Sequence, residues 1–130
     1  MIKNRKQAHI GIATNDIDAT VNWLQDVLGC ELYGDYVAPD GTPCKFLRNP
    51  DIFYEIFQPV SGVDPAVAGK IDHIAYVSDD IQKDYDYCKA QGYTFTTDGV
   101  QTMLDFWENG TSYFKIACAT GQEIEFCQIL

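Results

Sequence analysis

A chain of 130 residues that is 46% apolar and 13% aromatic has enough material for one globular core and is too apolar for disorder. Nineteen acidic against nine basic side chains give a formal charge of −10, which argues against nucleic acid as a partner because phosphate binding needs a basic face. No apolar run reaches the roughly 18 to 20 residues of a membrane span, and no hydrophobic stretch follows the charged start MIKNRKQAHI, so a cytoplasmic protein with no signal peptide and no membrane contact is expected.

In chain order, apolar and β-branched alternation predicts a strand over 8–13, and Asn15-Asp16 is a helix-starting pair. A helix should follow with Ile17, Val21, Leu24, Val27 and Leu28 as its apolar stripe, ending at Gly29, where a left-handed residue suits a helix C-terminus. Three strands are expected next, punctuated by Pro39-Asp40-Gly41 and Asn49-Pro50-Asp51 and closing with FYEIFQPV. The segment SGVDPAVAG, residues 61–69, reads as a linker. Beyond it the order recurs: a strand over 72–77, a polar Ser78-Asp79-Asp80 cap, and a helix carrying Ile81, Tyr85 and Cys88 up to Gly92. Three more strands follow, around Asn109-Gly110 and Thr120-Gly121. The prediction is an α+β fold of two tandem βαβββ modules, 5–60 and 70–130, making a single domain over 1–130.

The two modules match residue by residue. AHIGIATNDID lies on DHIAYVSDDIQ, placing His9 on His73 and Ile17 on Ile81, while YEIFQ lies on IEFCQ, placing Glu55 on Glu125 and Gln58 on Gln128. Counting back from each glutamate pairs Lys45 with Lys115. The chain has only two histidines, and both fall on the same repeat position. If Ile10, Ile12, Tyr54 and Ile56 pack under the first helix, alternation leaves His9, Gly11, Ala13, Phe53, Glu55 and Phe57 on the other face. The same reasoning turns His73, Ala75, Val77, Glu123, Glu125 and Cys127 that way in the second module. Two histidines and two glutamates on one concave surface suit a borderline divalent ion: Ni, Co, Zn, Mn or Fe(II). A metal would also account for a carboxylate set among Ile124, Phe126 and Ile129, where a charge without a partner is costly.

The stretches HIGIATNDIDATVNWLQDVLG, FYEIFQP, DHIAYVSDDI and EIEFCQ resemble the vicinal-oxygen-chelate superfamily, which includes glyoxalase I, methylmalonyl-CoA epimerase, extradiol dioxygenases and bleomycin-binding proteins. The resemblance spans both modules. It implies a U-shaped open sheet around one metal, with His9, Glu55, His73 and Glu125 as ligands, a set similar to that of bacterial-type glyoxalase I. By this resemblance the chain is a metal-dependent lyase or isomerase. It would act on a small α-oxygenated carbonyl compound through a metal-stabilised enediolate, with Glu125 as the base and Glu55 as its catalytic counterpart. It further implies a homodimer whose sites draw ligands from both chains.

Departures from that pattern carry information. Glutathione-using relatives have an arginine four residues after the first ligand, where this chain has Ala13, and an asparagine four after the second, where it has Pro59. Glutathione is therefore an unexpected substrate, and Lys45 and Lys115, which alternation puts on the cavity side, are candidates to hold some other anion. Cys127 reads as a small buried hydrophobe on the site face, and Met103 and Trp107 as candidates for a substrate lid. With five cysteines and no CxxC pair, free thiols are expected. Three alternatives stay open: an epimerase, an Fe(II) dioxygenase using His9, His73 and Glu125, and a metal-free protein that sequesters a ligand.

Overall fold

The computed structural model describes residues 2–130. Its elements run β1 (Gln7–Ala13), α1 (Ile17–Leu28), β2 (Glu31–Val37), β3 (Pro43–Asn49) and β4 (Ile52–Phe57), then β5 (Ile71–Val77), α2 (Ile81–Ala90), β6 (Gln101–Met103), β7 (Thr111–Ala117) and β8 (Glu123–Ile129). This is βαβββ twice, an α+β fold. The chain divides into two compact units: His9–Asp72, and His73–Leu130 together with the N-terminal residues up to Ala8.

In the unit His9–Asp72 the strand order is β2-β3-β4-β1, with β1 and β4 parallel and the other pairs antiparallel. Asp16 caps α1 by accepting from the Ala19 N–H at 3.0 Å, and Gly29 ends it with φ 66°, a backbone a Cβ would resist. Ile17, Val21 and Leu24 pack on Cys30, Leu47 and Ile56, with Ile12 and Tyr54 at the margin. The apolar stripe of α1 is buried over a shorter length than its sequence predicts: Val27 and Leu28, one turn beyond Leu24 on the same side of the helix, are exposed at 57% and 42%.

The second unit repeats the plan, with strand order β5-β8-β7-β6 and β5 parallel to β8. Asp80 caps α2 by accepting from Lys83 N–H at 3.0 Å, the counterpart of Asp16. Ile81, Cys88, Phe114 and Phe126 form the core, flanked by Tyr76, Tyr85, Phe95, Ile116 and Ile124. Burial and the nearby Asp84 push the Cys88 thiol up to about 11, so it packs as a hydrophobe. The N-terminal residues join this unit through Arg5, which donates to buried Asp84 at 2.6 Å, and through Lys6, whose carbonyl accepts from Val77 N–H at 2.8 Å. The other oxygen of Asp84 accepts from the Ser78 hydroxyl at 2.6 Å.

The matched glutamines have a role that spacing alone did not reveal. Gln58 Oε1 accepts from Ile17 N–H at 2.9 Å, and Gln128 Oε1 accepts from Ile81 N–H at 3.0 Å. In each unit the last strand thus satisfies one of the orphan donors at the start of the helix. Each E-x-x-Q has its glutamate turned to one face of the sheet while its glutamine reaches the helix N-terminus.

Candidate metal centre

In the unit His9–Asp72, β1 and β4 are neighbours in a register that sets Gly11 beside Glu55. Gly11 has no side chain to intervene, and His9, two residues earlier, shares its face. His9 Nε2 lies 3.4 Å from Glu55 Oε2, with both side chains largely buried. Phe46 stands directly across from Glu55 on β3 and meets the His9 ring edge-on at 5.6 Å. Tyr33 and Tyr36 pack against Phe46 at 6.0 Å each. They reach it because β2 carries a bulge between Leu32 and Gly34, which re-aims one side chain, a common device beside sites. Gly34 is required there: a Cβ on it would come within 2.8 Å of the Tyr36 ring and 3.1 Å of the Phe46 ring.

The second unit places its residues the same way. Ala75 of β5 lies beside Glu125 of β8, and His73 Nε2 is 3.4 Å from Glu125 Oε2. Burial is deeper here, with His73 at 1% exposure and Glu125 at 5%. The glutamate sits among apolar residues without being orphaned. Ile124 and Phe126 face the helix-side core, whereas Glu125 faces His73 and Lys115, whose Nζ is 3.9 Å away. Among the described residues no buried side-chain nitrogen or oxygen lacks a hydrogen-bond partner.

Lys45 and Lys115 do not play the same part, contrary to the expectation from counting. Lys115 is opposite Glu125 across β7 and β8, but Lys45 is opposite Ile56, and Phe46 takes the place opposite Glu55. The hairpin joining β3 to β4 is one residue shorter, measured from the glutamate to its partner, and a one-residue slip reverses the face of every side chain on a strand. Lys45 accordingly shares a face with Leu47 and Ile56 and pairs with Asp35 at 2.9 Å. The other expected residues are also placed. Cys127 is buried on the Glu125 face of β8, and Met103 belongs to β6, paired with Thr111. Trp107 holds a left-handed backbone at φ 58°, which a bulky residue adopts only under constraint. All five cysteines are free thiols. A cavity of about 590 Å³ in the second unit, lined by Tyr76, Ile116, Ile124 and Phe126, lies on the helix side, away from His73 and Glu125.

The donor set fits a divalent ion. A nitrogen and a carboxylate oxygen, each about 2.1 Å from one ion, stand about 3.0 to 3.4 Å apart on adjacent vertices of an octahedral or tetrahedral shell. Both His–Glu pairs have a separation of 3.4 Å, which is long for a charge-assisted hydrogen bond.

Comparison with known proteins bears on the family and the fold. The model of the glyoxalase/bleomycin resistance protein/dioxygenase superfamily matches residues 8–111. The chain belongs to this superfamily. A relative, the uncharacterized protein YwbC of Bacillus subtilis (strain 168), is 32% identical over 124 residues, covering 92% of this chain and 94% of YwbC. Among solved structures, methylmalonyl-CoA epimerase from Mycobacterium tuberculosis is similar in fold at TM-score 0.81 and 21% identity, over 100% of this chain and 93% of that one. A variant of the Streptomyces coelicolor methylmalonyl-CoA epimerase, in complex with 2-nitronate-propionyl-CoA, is similar at TM-score 0.77 and 21% identity, over 95% and 96%. At these identities the structural likeness speaks to the superfamily fold and no further.

Proposed function

We propose that this chain is a divalent-metal-dependent enzyme that moves a proton at the carbon next to a carbonyl, with His9, Glu55, His73 and Glu125 as the metal ligands. The observation that carries the reading is the repeated His–Glu pair, at one separation and on matched strand positions in each of the two compact units. A bound ion would supply Lewis-acid polarisation of the substrate oxygens. The chain's own groups do the rest. Glu125, deeply buried and in reach of His73, takes the proton α to the carbonyl, and Glu55 is the second carboxylate able to return one. The aromatic residues around Phe46 exclude water on the His9 side.

Glyoxalase I-like isomerisation and methylmalonyl-CoA-epimerase-like epimerisation share this proton abstraction, and the presence of one carboxylate in each unit favours a reaction that removes and returns a proton. Three-ligand dioxygenase chemistry is the weaker reading, since Glu55 would occupy a coordination position that oxygen needs. A metal-free sequestering protein would have no use for two buried His–Glu pairs. The test is metal analysis of protein purified without chelators, followed by a substrate screen of α-ketoaldehydes, CoA thioesters and catechols. Ni, Co, Zn, Mn or Fe(II) near one ion per pair of modules and turnover in one of the first two classes are expected. Metal-free protein that takes up no added ion would leave the sequestering reading.

A further inference from the structure

The two units share a plan, but their helix-side cores are not equally full. Leu24 of α1 packs on Leu47 and Ile56, both fully buried. The matching position of α2 is Cys88, because Ile17 lies on Ile81, and a thiol is much smaller than the leucine side chain. α2 is also shorter, with 10 residues against 12. Ile116 pairs with Ile124 as Leu47 pairs with Tyr54, yet Ile116 is only partly buried where Leu47 is sealed. The space that one unit fills is, in the other, the cavity of about 590 Å³, with Cys88, Ile116 and Ile124 in its lining. Close-packed interiors seldom leave voids larger than a water molecule, whereas small-molecule sites run from roughly 300 to 1,000 Å³.

The lining decides what fits. Tyr76 and Phe126 bring tilted rings with centroids 6.4 Å apart, a surface suited to further rings. Among the described residues the lining has one charged side chain, Arg5, and it is paired with buried Asp84 at 2.6 Å. Tyr87 and Tyr93 add polar atoms, and their side chains hydrogen-bond each other. An anion entering this space would meet no unanswered cation, and a cation no carboxylate, so a charged molecule would lose hydration without compensation. We propose that the cavity is a binding site for a neutral aromatic small molecule, separate from the metal centre. Ile124 and Phe126 line it, while Glu125 between them faces His73 on the reverse side of β8. A molecule held there bears on β8 without touching the metal ligands, which is the position of an effector and not of a substrate.

N-phenyl-1-naphthylamine, an uncharged fluorescent molecule with a naphthyl and a phenyl ring, is the probe, titrated into the full chain. Saturable binding near one per chain is expected. Its sulfonated analogue, 8-anilinonaphthalene-1-sulfonate, should bind about tenfold or more weaker, because the anion has no free cation to meet. Ala119→Trp, at an exposed position of the lining, and Cys88→Leu, which restores the residue type of the first helix, should each weaken the probe by about tenfold or more as the space closes. The wild type reports on the site without any substitution. Cys118 lines the cavity and is the one cysteine of five that is not buried. Hydrogen bonds from the Thr120 hydroxyl and the amides of its turn hold its thiol below the ordinary range, so iodoacetamide should alkylate it first. Saturating probe should slow that alkylation by about fivefold or more, read by peptide mass spectrometry. No saturable binding, an unchanged affinity in both variants, a sulfonate that binds as tightly, or an unprotected Cys118 overturns the proposal. So does Cys118 reactivity that falls with protein concentration in the absence of probe, which would put a second copy of this chain over the cavity. None of these outcomes bears on the metal reading, which metal analysis tests by itself.

Discussion

Glu125 is buried at 5% exposure between Ile124 and Phe126 of its own strand, a position that would cost several kcal/mol if its charge had no partner. Its partners are His73 and Lys115, and the same 3.4 Å spacing recurs at His9 and Glu55. Alternation along β8 made that orientation legible from sequence, because Ile124 and Phe126 had to face the helix. Lys115's contact with His73 was not legible, because it depends on which residue of β7 lies across from Glu125. Glu125→Gln keeps an oxygen ligand and loses the proton acceptor. Turnover should fall by about 10² or more while inhibitor binding survives, as steady-state rates and calorimetry would show. A fully active variant would make Glu125 a metal ligand only. Ala13 and Pro59 stand where glutathione-using relatives carry anchoring side chains. The hemithioacetal of glutathione and methylglyoxal should therefore turn over poorly, below a kcat/KM of roughly 10⁴ M⁻¹s⁻¹.

Strands, helices and caps were readable because each depends on neighbours in sequence. Asp16, Asp80 and Gly29 act where their residue types predict. Hairpin register was harder. The turn after β3 is tight, with Asn49 paired to Ile52, whereas β7 and β8 are joined from Ala117 to Glu123. That difference alone sends Lys45 to the helix side and Lys115 to the site, and counting residues back from the glutamates does not detect it. The glutamine ties between β4 and α1 and between β8 and α2 are another case, since the repeat marked Gln58 and Gln128 without saying what they hold. Gln58→Leu and Gln128→Leu should each destabilise by about 1 kcal/mol in urea unfolding. In the double variant, with the substitutions in separate units, the losses should roughly add. A neutral pair would mean that solvent replaces both bonds.

At the scale of the whole molecule, the repeat itself was the strongest signal, because two histidines and two glutamates at matched positions reveal the βαβββ duplication before any element is assigned. Charge is the next feature: with −10 on 130 residues, an anionic substrate needs locally placed cations. Among the described residues no helix is long and apolar enough to cross a membrane. We also propose a homodimer, since Trp23 at 56% and Val27 at 57% exposure leave apolar surface on α1 and closed twofold pairs are the commonest assembly. Light scattering should give twice the chain mass of 14.6 kDa, and a monomer binding metal at full stoichiometry would place all four ligands within one chain. Zinc titration of wild type beside four single variants, His9→Ala, Glu55→Ala, His73→Ala and Glu125→Ala, tests the central claim most directly. The expected result is one ion per pair of modules in wild type and an affinity reduced by roughly tenfold or more in every variant, from either unit. Uptake that survives His9→Ala and Glu55→Ala unchanged would contradict a single centre built from both halves of the repeat.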